Sequence, residues 1–253
     1  PQANDTIAPH LYDWYFSGNG YIQLPYISVF NNHTFTVEGW MYLTTTSTPS
    51  LFSDQPFFAT GDCGCTDRYL HLVIRGGNPY MGFYNDDINS GTTVSTYSWL
   101  YLAFAWNSTT RYRAIYLNTA MIASGYSSGY LTVTNGSATG NGAWIGRFID
   151  SYLVNSYIGS IRIFSRFLSQ TDLSNIYINK IVPANGLVAF LDATFFDGTK
   201  YIDISGNGYN GVPYNIARVP VTMVSDQAWI WVIRGLYSDG NVHLRFFPQS
   251  SWL

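Results

Sequence analysis

Carboxylates that act in pairs are scarce in this chain. It carries a single glutamate, Glu38, in the run FTVEGW. Hydrolysis of a glycosidic bond needs two carboxyl groups about 5–9 Å apart, one as acid and one as base or nucleophile. Trp40 and Tyr42 occupy the positions two and four residues on, so no second carboxylate shares Glu38's strand face. The spacing predicts Glu38 as an edge or solvent-face residue. Asp86 and Asp87 are adjacent, so within a strand they would point to opposite faces. Four histidines occur (His10, His33, His71, His243), none beside a G-x-S-x-G elbow. His71 in YLHLVI alternates within an apolar run and reads as structural. Cys63 and Cys65, in GDCGCTD, are the only cysteines. They suit a very small local disulfide ring, two free thiols, or a bridge to another chain. Two ligands do not make a structural zinc site. Gly18-Asn19-Gly20 and Gly206-Asn207-Gly208 lack a following lysine or helix and read as turns, not phosphate cradles.

The elements that would position these groups are mainly strands. Tyr157 to Phe164 alternates, with Ile158, Ser160, Arg162 and Phe164 on one face and Tyr157, Gly159, Ile161 and Ile163 on the other. Ser169 stands three residues before Asp172, and Leu173, Ile176 and Tyr177 follow at helical spacing, which predicts a capping-box start to a short helix. Strands are expected at 69–74, 80–84, 99–107, 112–117, 130–134, 228–233 and 242–247, with the last two joined as a hairpin. Residues 44–68 read as a long insertion and 1–13 as a polar arm. Many short strands at this spacing imply an all-β sandwich or jelly roll.

Composition narrows the function classes. Of 253 residues, 18% are aromatic and 11% charged, against about 25% charged in ordinary globular chains. With a net charge of −3 there is no basic patch for nucleic acid. No apolar run is long enough to span a membrane. A surface of Ser, Thr, Asn and Gly suits an extracellular protein. The chain begins with Pro1, which fits a removed leader or an excised piece. Four sequons, at Asn4, Asn32, Asn107 and Asn135, are candidate glycosylation sites.

Several phrases are similar to one family. WIGR…YIGSIRIFSRFLSQTDLSNIY resembles the closing signature of laminin-G-like, concanavalin A-like jelly-roll domains, in which a strand leads into a small capping helix. FSGNGYIQLP, FTVEGWMYL and IYLNTAMIA resemble upstream family strands, in family order. The resemblance spans about residues 14 to 180. It implies an all-β concanavalin A-like sandwich with one short helix, and a division into an arm (1–13), a sandwich (14–183) and a C-terminal β segment (184–253). The phrase GLVAFLD…DISGNGYNG resembles the opening of such a domain, although it follows the closing signature. That implies either a truncated second repeat or strands that pack back on the first sandwich.

The family hosts lectins, hydrolases, adhesion modules and virion parts. Its hydrolases carry an E-x-D-x-x-E pattern, which is absent here, so no enzyme is expected. The expected function is recognition of a cell-surface glycan or protein. The alternative is a structural subunit of an extracellular filament, envelope layer or virion appendage, self-assembled through its terminal strands. Family members often hold Ca²⁺ at the sandwich rim, for which Asp62 and Asp67, or Asp86, Asp87 and Asn89, are candidate ligands. Sugar binding would use aromatic faces with amide and carboxylate partners. Tyr80, Tyr84, Asp86, Asn89, Tyr152 and Tyr157 are the candidates.

Overall fold

The computed structural model describes residues 6–48, 53–61, 64–134, 142–221 and 229–234, with 6–9 and 229–234 as backbone only. Asn4, Asp62, Cys63, Asn135, His243 and the strand expected at 242–247 lie outside the described residues. In chain order the elements are β1 (Thr6–His10), β2 (Tyr12–Leu24), a 3-10 turn (Ser28–Phe30), β3 (Phe35–Leu43), β4 (Asp54–Gly61), β5 (Tyr69–Arg75) and β6 (Asn78–Gly82). Then come β7 (Asp87–Asn89), β8 (Trp99–Trp106), β9 (Tyr112–Leu117), β10 (Ala120–Tyr126), β11 (Ala143–Ile145), β12 (Arg147–Phe148), β13 (Ser151–Tyr152) and β14 (Ser156–Phe164). The chain continues through α1 (Gln170–Asn179), β15 (Ile181–Pro183), β16 (Leu187–Asp192), β17 (Val212–Pro220) and β18 (Trp229–Arg234).

One antiparallel path runs β10-β9-β8-β3-β14-β2-β11-β4-β5-β6-β7. It folds over at β2, whose residues 14–16 pair with β14 while residues 22–24 pair with β11. The inner faces meet in the main core, where Leu102, Phe104 and Trp106 of β8 oppose Leu70, Leu72 and Ile74 of β5. Phe57 and Phe104 lie 6.1 Å apart across it. The fold is a concanavalin A-like jelly-roll sandwich. Strand periodicity then sends Tyr69, His71 and Val73 to the outer face of the β4–β7 layer.

α1 covers part of the other layer's outer face. Ser169 accepts from the Asp172 N–H, and the Asp172 side chain accepts from the Ser169 N–H, so the capping box forms as the spacing predicts. Leu173 and Ile176 are buried, and Tyr177 stacks on Trp40 at 5.3 Å. Beneath the helix lies Glu38. The expectation of an edge or solvent-face residue is corrected: Glu38 does face outward from its strand, but the covering segment buries it completely. Its cross-strand neighbour Arg162, equally buried, donates to both carboxylate oxygens, the Nη2 bond being 3.0 Å.

Other expectations need correction. Residues 44–68 are not a plain insertion, because β4 lies within them, fully buried between β11 and β5. Pro56 disguised it. The ladder shifts between Pro56 and Phe58, and such an irregularity tolerates a proline in a central strand. Residues 130–134 form no strand and contribute one bridge, Thr132 to Asn31. The alternation of β14 breaks at a bulge, where Gly159 and Ser160 together oppose Trp40. Ile158 and Ile161 therefore both enter the main core. The bulge presses the Ser160 carbonyl onto Gly39, where a β-carbon would overlap it. Residues 1–13 are not a free arm in their described part: β1 pairs with β18, and Tyr12 opens β2.

Two strands after α1 join the same sheet, while β15 and β18 form a separate sheet with β1. β16 pairs with β14 and β17 runs along β2. Between them the Asp203 carboxylate accepts from the N–H groups of Phe190, Ser205 and Tyr209, at 2.9, 3.0 and 3.0 Å. This is the physical content of the DISGNG phrase: one carboxylate organises the turn. Tyr201 packs edge-on against the buried Trp14 at 5.2 Å.

Candidate functional site

A cleft of about 420 Å³ opens on the outer face of the β4–β7 layer. β4 contributes Asp54, β5 contributes His71 and Arg75, and the turn into β7 contributes Tyr84, Asn85 and Asp87. The β12–β13 hairpin supplies Phe148, Ile149, Asp150 and Ser151. Strand register builds the centre. His71, Gly82 and Asp87 are direct neighbours across three strands. A β-carbon on Gly82 would overlap both the His71 ring and Asp87 Oδ1. The glycine thus lets the imidazole and the carboxylate meet above it.

His71 is sandwiched between Phe148, 4.4 Å away, and Tyr80, 5.7 Å away. It is 2% exposed, its Nε2 makes no hydrogen bond, and the Tyr69 backbone lies within reach of the ring. Nε2 lies 3.8 Å from Asp87 Oδ1, which also lacks a partner, while Asp87 Oδ2 accepts from the Tyr80 hydroxyl at 2.9 Å. Burial, and then the nearby Arg75 cation, push the imidazole down to about 3, so it is neutral at ordinary pH. Arg75 donates to both oxygens of Asp54, at 2.7 and 2.9 Å, and lies over the Tyr80 ring. Burial works against its charge, but the Asp54 carboxylate outweighs burial and holds the guanidinium charged.

The rim is conformationally unusual. Tyr84, Asn85 and Ile149 have φ of 67°, 62° and 51°. For the β-branched Ile149 this left-handed backbone is costly, and the side chain stays 40% exposed at the hairpin tip. Beyond the cleft the same face carries Tyr69 stacked on Trp144 and Tyr21 stacked on Tyr214. Arg147 lies over Tyr21, Trp144 and Tyr152. An aromatic floor and wall, an apolar rim, and amide, hydroxyl and carboxylate groups around them suit a flat ring bearing hydroxyls.

The candidates expected from the sequence are scattered by this geometry. Tyr84 and Asp87 line the cleft, Tyr80 backs it, and Tyr152 sits beside it under Arg147. Asp86 faces the other way, because adjacent residues alternate. Its carboxylate accepts from Arg113 at 2.8 Å and from the N–H groups of Ser128 and Gly129. Asn89 accepts from the Gly91 N–H at the end of β7. Tyr157 belongs to the opposite layer, in a row with Tyr15, Tyr42 and Trp99. Sequence reading missed His71, Phe148 and the hairpin tip as site residues. The pairing of His71 with Gly82 joins two strands and left no local signal.

Of the candidate calcium ligands, Asp86, Asp87 and Asn89 each engage a different partner. Asp86 is filled by Arg113, Asp87 is held by Tyr80, and Asn89 caps its own turn. Asp67 meets Asp86, and burial and then that carboxylate raise it to about 6. Among the described residues no cluster of His, Cys, Asp and Glu could hold a metal. Cys65 is disulfide-bonded, which removes the free-thiol reading for it. Of the sequons, Asn32 is exposed after the 3-10 turn, and Asn107 organises the β8–β9 turn through its Oδ1. Among the described residues no helix is long and apolar enough to cross a membrane.

Fold and face together define a lectin-like sandwich. The chain belongs to the Laminin_G_3 family of the concanavalin A-like lectin/glucanases superfamily, whose profile matches residues 16–174. No curated protein sequence matches it. Among solved structures it is similar to a proposed carbohydrate-binding protein from Bacteroides ovatus, at 16% identity and a TM-score of 0.66. That match covers 87% of this chain and spans 62% of the other protein's length. It is also similar to a heptameric SAP-like pentraxin from Limulus polyphemus, at 10% identity and a TM-score of 0.48, covering 88% and 96% of the two chains.

Proposed function

We propose that the chain is a non-catalytic recognition module that binds a glycan in the cleft between β5, β7 and the β12–β13 hairpin. The observation that carries this reading is the open hollow rimmed by Tyr84, Asn85 and Ile149 above the stacked rings of His71 and Phe148. The family's lectin-like character and the carbohydrate-binding description of the Bacteroides ovatus relative support it. Binding without cleavage is favoured because Glu38 is sealed under α1 against Arg162, and both oxygens of Asp54 are engaged by Arg75. We place the module outside the cell, on the disulfide at Cys65 and the exposed sequon at Asn32. The test is a glycan array probed with the full chain and with Tyr84→Ala. The wild type binds a subset of glycans, and loss of this rim aromatic weakens binding about tenfold or more. Replacing the exposed Tyr126, which lies on β10 away from the cleft, leaves binding unchanged. Unaltered binding by Tyr84→Ala would move the site elsewhere.

A second reading, self-assembly, is favoured by β17. It is nine residues long, largely exposed, and among the described residues pairs only with β2. Light scattering that shows concentration-dependent polymers would support it, and a monomer at all concentrations would end it.

A further inference from the structure

We propose that the cleft selects against charge: it takes uncharged, hydroxyl-rich sugars and rejects those bearing a carboxylate. This inference rests on the glycan-binding reading and names the ligand class of that same site. Three carboxylates line the cleft, Asp54, Asp87 and Asp150, against one cation, Arg75. Arg75 is held bidentately by Asp54, which takes up its charge, and it acts on Asp87 only at longer range. His71 contributes no positive charge at ordinary pH. The hollow therefore presents two excess negative charges, from Asp87 and from Asp150 on the exposed hairpin turn. The nearest further cation, Arg147, is not in the lining. It lies over Tyr21, Trp144 and Tyr152, and its Nε donates to the Ile149 carbonyl at 3.0 Å.

Ligand chemistry follows from this inventory. Carboxylate oxygens only accept hydrogen bonds, so Asp87 and Asp150 ask for donors, and sugar hydroxyls are donors. A uronic or sialic acid set on the Phe148 floor would bring a third negative charge beside them, and the one guanidinium in the lining, Arg75, is already paired with Asp54. Like charges at such range in a partly desolvated cleft repel strongly. A neutral ring meets no such penalty. It can lay its apolar face on Phe148 or Tyr84 while its rim hydroxyls reach Asp150, Ser151 and Asn85. The two residues that set the selection are thus Asp87, fixed by Tyr80, and Asp150, carried on the strained turn after Ile149.

The experiment pairs neutral oligosaccharides with their uronate or sialylated counterparts and measures binding to the full chain at low salt and at about 0.15 M salt. The expected result is binding of the neutral members, with charged counterparts at least about tenfold weaker, the gap shrinking as salt rises. Asp150→Asn, on an exposed turn where the fold does not depend on it, narrows the gap. Asp87→Asn combined with it narrows the gap further. Equal or tighter binding of the charged members by the wild type would overturn the selection while leaving glycan binding intact. A gap unchanged in the double variant would overturn the assignment to these residues. If no glycan of either kind binds, the recognition reading itself falls and this inference falls with it.

Discussion

At the scale of single residues, buried polar groups divide into those that hold the fold and those left waiting. His10 belongs to the first kind. Nδ1 bonds Asp192 at 2.7 Å and Nε2 bonds Asp13 at 3.0 Å, tying the start of β2 to the end of β16. Burial alone would lower its pKa, but the two carboxylates outweigh burial and raise it from 6.5 to about 9. The sign follows from the folded state holding the proton more tightly than the unfolded chain. The stabilisation is complete below about pH 6.5 and disappears as pH rises through about 9, with a ceiling of about 3 kcal/mol. Urea midpoints measured at pH 6, 7.5 and 9 should fall across that window, and His10→Gln should flatten the trend. A flat wild-type profile would show that this cluster does not couple to folding. His71 is the opposite case, an imidazole that burial keeps neutral and whose Nε2 stays 3.8 Å from Asp87. Sequence alternation read it as structural and could not reveal that Gly82 lies opposite. Composition exposed the lone Glu38, yet nothing local announced that a helix more than a hundred residues later would cover it. The long-range half of each residue's environment is what the sequence withheld.

At the scale of elements, local rules were legible where they act alone. The Ser169–Asp172 capping box was readable because both partners lie within one turn, and Arg166 reinforces it by donating to Asp172 at 2.7 Å. Asp172 is held down to about 2 by Arg166 and by Ser169, against burial, so the box persists at mildly acid pH. Ser169→Ala should lower stability by about 1 kcal/mol, read as a shift in denaturant midpoint without a change in slope. A shift near zero would mean that α1 is held by packing alone, through Leu173 and Ile176. Elements that depend on a neighbour's backbone were illegible. β4 hid behind Pro56, whose missing N–H is excused only by the ladder shift that follows it. The bulge in β14 turned a clean alternation into two successive core residues, Ile158 and Ile161, and its cause sits on another strand at Gly39. Period two fixes faces only while pairing stays in register.

At the scale of the molecule, the unit of folding extends past the family match. β16 supplies Ala189 and Leu191 to the main core, Tyr201 follows them in, and Ile216 of β17 packs against that core. A truncation ending at residue 183 should therefore fail to fold cooperatively, exposing the edges of β14 and β2 and the indole of Trp14. Far-UV and near-UV circular dichroism of that fragment checks this. A sharp two-state melt would mean that the shorter sandwich is self-sufficient. The sequence signalled the C-terminal strands through the DISGNG phrase but not which edges they would occupy. Edge choice is a property of the closed sheet, not of any segment. The double membership of β2 has a further consequence for how the protein is made. Tyr12 pairs with Pro220 and Gln23 with Val212, so β2 is synthesised long before its outer partner β17. Until β17 emerges, β2 stands with one ladder of N–H and C=O groups unmatched, in a nascent chain already able to form the β8–β9 and β5–β6 hairpins. The adhesive edge of this sandwich thus stays open from the synthesis of β2 until that of β17, which makes β2 a segment for a chaperone to shield and a point where two growing chains would join.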